Sequence, residues 1–208
     1  MNRRSLLVSL SFCAALVAAL PLGAQDAAKK KQAPPPLPGA GSGGATPHAT
    51  TGTVIGPNRK EGSRVTVTYG RPFAVHPRDG GEPRKIWGGL VAWDKPNRLG
   101  ADEATTILTQ HPLVIGSTTI PAGLHTLYII PSATGPSKLA LSKKVGDWGV
   151  PVNVDNDVAR FDLTKKDLDQ SVDQLTIVVE NTNAAAFGGT LRIRWEKTEF
   201  SLPFTVKK

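Results

Sequence analysis

Charged and aromatic side chains that could bind or transform a ligand gather in one stretch of the sequence, residues 69–106. An arginine guanidinium can hold a carboxylate, a phosphate or sugar hydroxyls, and an indole offers a flat apolar face to a small ligand. The stretch lacks the regular alternation of its surroundings, and long irregular loops in compact domains tend to be functional. With two downstream residues it supplies the candidate ligand-binding set, which is Arg71, Trp87, Trp93, Arg98, Glu103, His125 and Trp148.

Three roles fit these residue types. In the first, the domain is a non-catalytic binding or structural module of the cell envelope, which recognises a small polar ligand or a carbohydrate such as an envelope polysaccharide. In the second, it is an envelope hydrolase in which Glu103 or Asp102 acts as a carboxylate base beside an arginine. In the third, Arg98 and Glu103 form a structural pair that holds the long loop across one sheet. We predict the first role and keep the hydrolase as the alternative.

Metal and cofactor chemistry has little support in the sequence. The four histidines, His48, His76, His111 and His125, are isolated, and no H-x-H or H-E-x-x-H motif occurs. Residues 155–157 resemble the start of a calcium loop but lack its glycine and its closing glutamate. The sequence has neither a G-x-S-x-G nucleophile frame nor a phosphate-binding loop. It therefore predicts no metal ion and no cofactor.

The net charge of +8 would suit a polyanionic partner, but its distribution does not. Two arginines lie in residues 1–24 and three lysines in residues 29–31, and the basic residues after Thr46 are scattered. Binding of nucleic acid requires basic residues interleaved with exposed aromatic side chains, whereas most aromatic residues here lie in predicted strands. We therefore expect no nucleic-acid partner.

The N-terminal part of the chain has the composition of an export signal followed by a linker. Residues 1–24 contain two arginines, a 15-residue apolar run and small residues that end at Ala24, as in a secretory signal peptide. The run is shorter than the roughly 20 residues that span a bilayer. We expect cleavage near Ala24, a periplasmic or extracellular location and no transmembrane anchor afterwards. Residues 25–47, rich in Pro, Gly, Ala and Lys, predict a disordered linker, and residues 48–208 a single domain.

The sequence pattern of the predicted domain indicates β-strands. Apolar and polar residues alternate with period two, which is typical of a strand with one buried face. No long helical stripe occurs, although residues 165–171 could form one helical turn, and a parallel sheet would need crossover helices. We therefore predict an all-β fold, an antiparallel sandwich or jelly-roll-like barrel of nine or ten strands. The clearest alternating sets are Val65/Val67/Tyr69, Ala159/Phe161/Leu163, Leu175/Ile177/Val179, Leu191/Ile193/Trp195 and Phe200/Leu202/Phe204/Val206.

Several short blocks in order resemble a bacterial family catalogued as domain of unknown function 2911. The blocks are Y-G-R-P at 69–72, K-I-W-G-G-L-V at 85–91, R-L-G-A-D-E-A-T at 98–105, P-A-G-L-H at 121–125 and D-W-G at 147–149. The resemblance covers nearly all of residues 46–206 and implies a secreted or periplasmic domain without an established reaction. The chain departs from the family pattern at Asn97, where a tryptophan is usual, at Asp102, usually asparagine, and at His125, usually tyrosine.

Overall fold

The computed structural model of the protein describes residues 46–75 and 81–208. The predicted signal peptide and all but the last two residues of the predicted linker lie outside the described residues. Within them, eleven strands form two antiparallel sheets, and no helix is long and apolar enough to cross a membrane. The all-β sandwich is confirmed. The strands are β1 His48–Ile55, β2 Ser63–Gly70, β3 Asn97–Arg98, β4 Thr106–Thr109, β5 Leu113–Ile115, β6 Thr118–Ile120, β7 Gly123–Ile130, β8 Lys138–Ser142, β9 Asp157–Asp162, β10 Thr164–Asn183 and β11 Gly188–Val206.

The first sheet has the order β1-β2-β4-β7-β8-β9, and it positions the irregular stretch along β7. β4 pairs with the first half of β7, where Thr106 lies opposite Thr126. The two-residue strand β3 pairs farther along the same strand, where Arg98 lies opposite Tyr128. Residues 99–105 therefore form an excursion between two segments that share one partner strand. This arrangement fixes both ends of the loop that carries Asp102 and Glu103.

The second sheet has the order β10-β11-β5-β6, and the register of β10 on β11 is irregular between Asp167 and Thr176, where β10 has more residues than the facing part of β11. Residues 191, 193 and 195 are buried before the bulge, whereas residues 200, 202, 204 and 206 are buried after it. Glu196 lies between the two sets with a positive φ of 51°, a left-handed conformation that is uncommon for residues other than glycine. The alternation of β11 changes phase here, beside the irregular register with β10. As a result Trp195 and Phe200 both belong to the core that the two sheets share.

The same change of phase brings an ion-pair network together on the other face of β11. Glu199 is almost fully buried and accepts hydrogen bonds from Arg192 Nη1 at 2.8 Å and Arg194 Nε at 2.6 Å. Arg192 Nε also donates to Glu180 of β10 at 2.7 Å. Burial alone would raise the pKa of Glu199, but the hydrogen bonds from Arg194 and Arg192 outweigh it and hold that pKa below its ordinary value.

Side chains of the first sheet hold the edge of β10. The Tyr69 hydroxyl donates to Ile177 O at 3.2 Å and accepts from Ile177 N at 2.9 Å. Arg71 Nε donates to Leu175 O at 3.2 Å, and the Leu175 amide donates to Pro72 O at 3.0 Å. A strand edge exposes unpaired backbone groups, and these contacts satisfy them. The Y-G-R-P block therefore joins the two sheets.

Three local expectations differ from the structure. The helical turn that residues 165–171 could form does not occur, because these residues belong to β10 and pair with β11 up to an irregularity between Asp167 and Val172. The strand count is eleven rather than nine or ten. The predicted strands at 191–195 and 200–206 are one continuous strand, β11, in which Pro203 lies between the segment that pairs with β10 and the segment that pairs with β5.

Candidate functional site

The loop between β8 and β9, residues 143–156, lies against the 98–104 segment. The Ala104 amide donates to Asp147 O at 3.3 Å, and Arg98 Nη1 donates to Trp148 O at 2.9 Å. Gly149 has a φ of 73°, and a Cβ there would lie 2.9 Å from the Ala104 Cβ. Only glycine combines this backbone conformation with such a close approach. The D-W-G block therefore holds the β8–β9 loop, and with it the backbone of Trp148, against the 98–104 segment.

Arg98 contacts both the ring and the backbone carbonyl of Trp148. Its Cζ lies 5.5 Å from the centroid of the Trp148 ring, a cation–π distance. Its guanidinium also donates to the carbonyls of Gly100 and Asp102. Burial lowers the pKa of Arg98 from its ordinary value, while the negative charges of Asp102 and Glu103 act in the opposite direction. Trp148 nevertheless remains 46% exposed, whereas tryptophan is highly buried on average.

Beside Trp148 lies an open cavity of about 460 Å³, which we call the Trp148 groove. Its volume is in the range of small-molecule sites. The start of β1, the end of β2, the start of β4 and the β8–β9 loop each contribute to its walls. The lining residues are His48, Thr68, Tyr69, Gly70, Glu103, Ala104, Thr106, Gly146, Asp147 and Trp148.

An imidazole and two carboxylates meet at this groove. His48 Nε2 lies 3.1 Å from Glu103 Oε2 and 3.6 Å from Asp102 Oδ2. Asp102 has a φ of 62°, a left-handed conformation that Asp and Asn tolerate better than most residues. Its Oδ2 is buried and accepts no hydrogen bond. No group of three or more histidine, cysteine or acidic residues in the described part of the chain could hold a metal ion.

The structure brings only part of the predicted set together. Arg98, Glu103 and Trp148 lie at or beside the Trp148 groove. The structural pair considered for Arg98 and Glu103 is replaced by other contacts, since Arg98 binds backbone carbonyls and Glu103 contacts His48. Arg71 binds the edge of β10 instead.

The remaining predicted residues have other surroundings. Trp87 packs edge-on against Trp195 and Phe200, with ring centroids 6.3 and 5.2 Å apart, so it extends the core. Trp93 packs closely over Gly88, where a Cβ would collide with the indole. His125 is buried on β7, and its Nε2 bonds to Pro121 O at 2.9 Å.

His48 is the main site residue that the sequence did not indicate. Isolated by spacing, it lies opposite Gly70 in the β1–β2 ladder, which places it next to the Y-G-R-P block. Glu103 is 55 positions away in sequence. The pairing of β1 with β2 would have placed His48 beside that block, but nothing in its neighbouring residues marks it as functional.

Comparison of the sequence with models of known protein families gives a match to the family that the sequence blocks resemble. A family model described as "Protein of unknown function (DUF2911)" matches residues 51–204. The chain belongs to this family. No curated protein and no solved structure matches it. The blocks of the DUF2911 resemblance also meet in space: a Cβ at Gly70 would collide with the Ala101 carbonyl, and Gly149 packs against Ala104. The 69–72, 98–105 and 147–149 blocks therefore build one region of the domain.

Proposed function

We propose that the domain is a non-catalytic binding module whose Trp148 groove takes a small polar ligand, most simply a neutral carbohydrate. The observation that carries this proposal is the exposed Trp148 indole, held in place by Arg98 and by two backbone contacts of the β8–β9 loop. An aromatic face packs well against the apolar C–H face of a sugar ring. A rigid indole loses little conformational freedom on binding.

Polar groups next to the indole match the hydroxyls of such a ligand. Glu103 supplies a partly exposed carboxylate that accepts hydrogen bonds, and Thr68 and Thr106 supply hydroxyls that donate and accept. Glu103 is also near His48, which orients its carboxylate. A few fixed polar groups around an apolar surface are typical of small-molecule sites.

Export to the cell envelope is part of the proposal and rests on the predicted signal peptide, with cleavage near Ala24. A periplasmic or extracellular location would bring the groove into contact with envelope polysaccharides. Peptidoglycan fragments and neutral oligosaccharides are therefore the ligands to test first.

The test is a thermal-shift screen of these compounds followed by isothermal titration calorimetry. We expect a saturable heat with the wild-type protein and at least a tenfold loss of affinity in Trp148→Ala, because the indole supplies the main apolar contact and the comparable stacking of a nucleic-acid base on an aromatic ring contributes about 1–3 kcal/mol. Leu108→Ala is the matched control, because Leu108 is 51% exposed and does not line the groove. Equal affinities for Trp148→Ala and Leu108→Ala would refute the proposal.

A hydrolase remains the second candidate, because the His48 imidazole lies between the carboxylates of Asp102 and Glu103. The carboxylate of Glu103 or Asp102 could accept a proton from water while that water attacks a bound substrate. Nitrophenyl glycosides and esters test this reaction directly. Turnover that is lost in Glu103→Gln while ligand affinity is kept would establish the hydrolase and displace the non-catalytic proposal.

A further inference from the structure

A second cavity, of about 710 Å³, has a different chemical character from the Trp148 groove. We call it the basic groove, because three of the described residues that line it are cationic and none is acidic. Its apolar side is formed in part by Trp195 and Pro151. The cationic residues are Arg84, Lys95 and Arg98.

The guanidinium of Arg84 is the strongest indication that this groove binds a hydrogen-bond acceptor. Its Nη2 donates to Phe73 O, but its Nε is buried without a hydrogen-bond partner. An arginine guanidinium does not lose its proton in a protein, so this N–H remains a donor. Leaving a buried donor unsatisfied is unfavourable, and an oxygen of a bound anion would remove that penalty.

Arg98 and Lys95 differ in their charged neighbours and in their exposure to solvent. Arg98 is near Asp102 and Glu103 and binds backbone carbonyls. Lys95 is exposed, so its ammonium group is available to a ligand that enters from solvent. The net positive charge of the basic groove therefore rests mainly on Arg84 and Lys95.

We infer that the basic groove binds the carboxylate or phosphate group of a small organic anion, with Arg84 and Lys95 as its main contacts. Arginine favours both groups because its donors form a fork that matches their oxygens. The exposed side chain of Leu90 and Pro151 would contact the uncharged body of the ligand. This site is separate from the Trp148 groove, and the inference does not depend on the proposed carbohydrate ligand.

Isothermal titration calorimetry with D-glucuronate, glucose 6-phosphate and D-glucose tests the inference, because these probes share a ring and differ in charge. We expect the two anions to bind and the affinity to fall with added salt. Acetate and inorganic phosphate, added as competitors, show which anionic group the site prefers. Arg84→Gln should weaken anion binding about tenfold or more, and Lys95→Gln about threefold.

Lys166→Gln is the matched control, since it removes one exposed positive charge from β10 and Lys166 does not line the basic groove. Thermal unfolding and circular dichroism check that each variant is folded. If Arg84→Gln does not fold, Lys95→Gln still tests the inference. Equal anion affinity in Lys95→Gln and Lys166→Gln would overturn the inference. It would also fail if Trp148→Ala abolished anion binding, because the anion would then occupy the Trp148 groove.

Discussion

Removing the Tyr69 hydroxyl tests how the two sheets are joined. Ile177 is paired with Ile193 of β11, yet its amide and carbonyl both bond to Tyr69 on the opposite edge of β10. Tyr69→Phe keeps the ring, which is 4% exposed, and deletes both hydrogen bonds. A buried backbone donor and a buried backbone acceptor then lose their partner.

The expected loss follows from these two groups. Each buried polar group left without a partner costs about 1–3 kcal/mol, and the lower part of this range applies to neutral backbone groups. The free energy of unfolding should therefore fall by about 3 kcal/mol. For a domain of this size such a change lowers Tm by roughly 6–12 °C.

Urea denaturation and calorimetry measure this loss, and the second tyrosine of the chain is the matched control. Tyr128 is also buried, but its hydroxyl bonds once, to Asp157 Oδ2 at 2.5 Å, and Arg160 still pairs with that carboxylate. Tyr128→Phe should cost about 1.5 kcal/mol, the lower end of the range for a hydrogen bond to a charged group, because Arg160 still pairs with Asp157. The account of the sheet contact is wrong if Tyr69→Phe is no less stable than Tyr128→Phe.

Further predictions concern ionisation and the β8–β9 loop. Glu199→Gln should lower stability by about 2 kcal/mol at pH 7, and the difference should shrink as the pH falls below 4.5, since the folded pKa of Glu199 is lowered. Burial raises the pKa of Glu196, so Glu196→Gln should be at least as stable as wild type at pH 7, and any gain should vanish below pH 4.5; a pH series of urea denaturation checks both variants. Burial, then the Asp157 hydrogen bond, raises the pKa of Tyr128 to about 12, so absorbance titration of Tyr69→Phe should show its ionisation well above pH 10, and a midpoint near 10 would contradict this environment. Gly149→Ala should cost about 2 kcal/mol and Gly146→Ala about 1 kcal/mol, because both have positive φ but only Gly149 lies against Ala104; equal costs by thermal unfolding would remove the argument for close packing there.

Alternation predicted the strands well because it reports burial of one face, which is a local property of the sequence. It also contained a signal for the irregularity near Glu196: the buried set changes from odd positions at 191–195 to even positions at 200–206. Such a change requires a break in the regular alternation of the strand. Residues 165–171 could form a helical turn but extend β10 instead, because the pairing of residues 165–167 with β11 overrides weak local preference.

The candidate site was less predictable because its side chains come from distant segments. Arg71 and Trp87 have the residue types of a binding site, yet one holds the edge of β10 and the other packs against Trp195. Residue type alone cannot distinguish these roles. His48, in contrast, reaches Glu103 only through the register of β1 on β2, which no local pattern reveals.

The most direct test of the proposed ligand site is a map of backbone amide shifts in residues 48–208, titrated with a neutral oligosaccharide from the screen. We predict shifts confined to residues 68–70, 103–106 and 146–148, which line the Trp148 groove. Shifts located elsewhere on the domain, with these three segments unchanged, would contradict the assignment of the groove as the binding site.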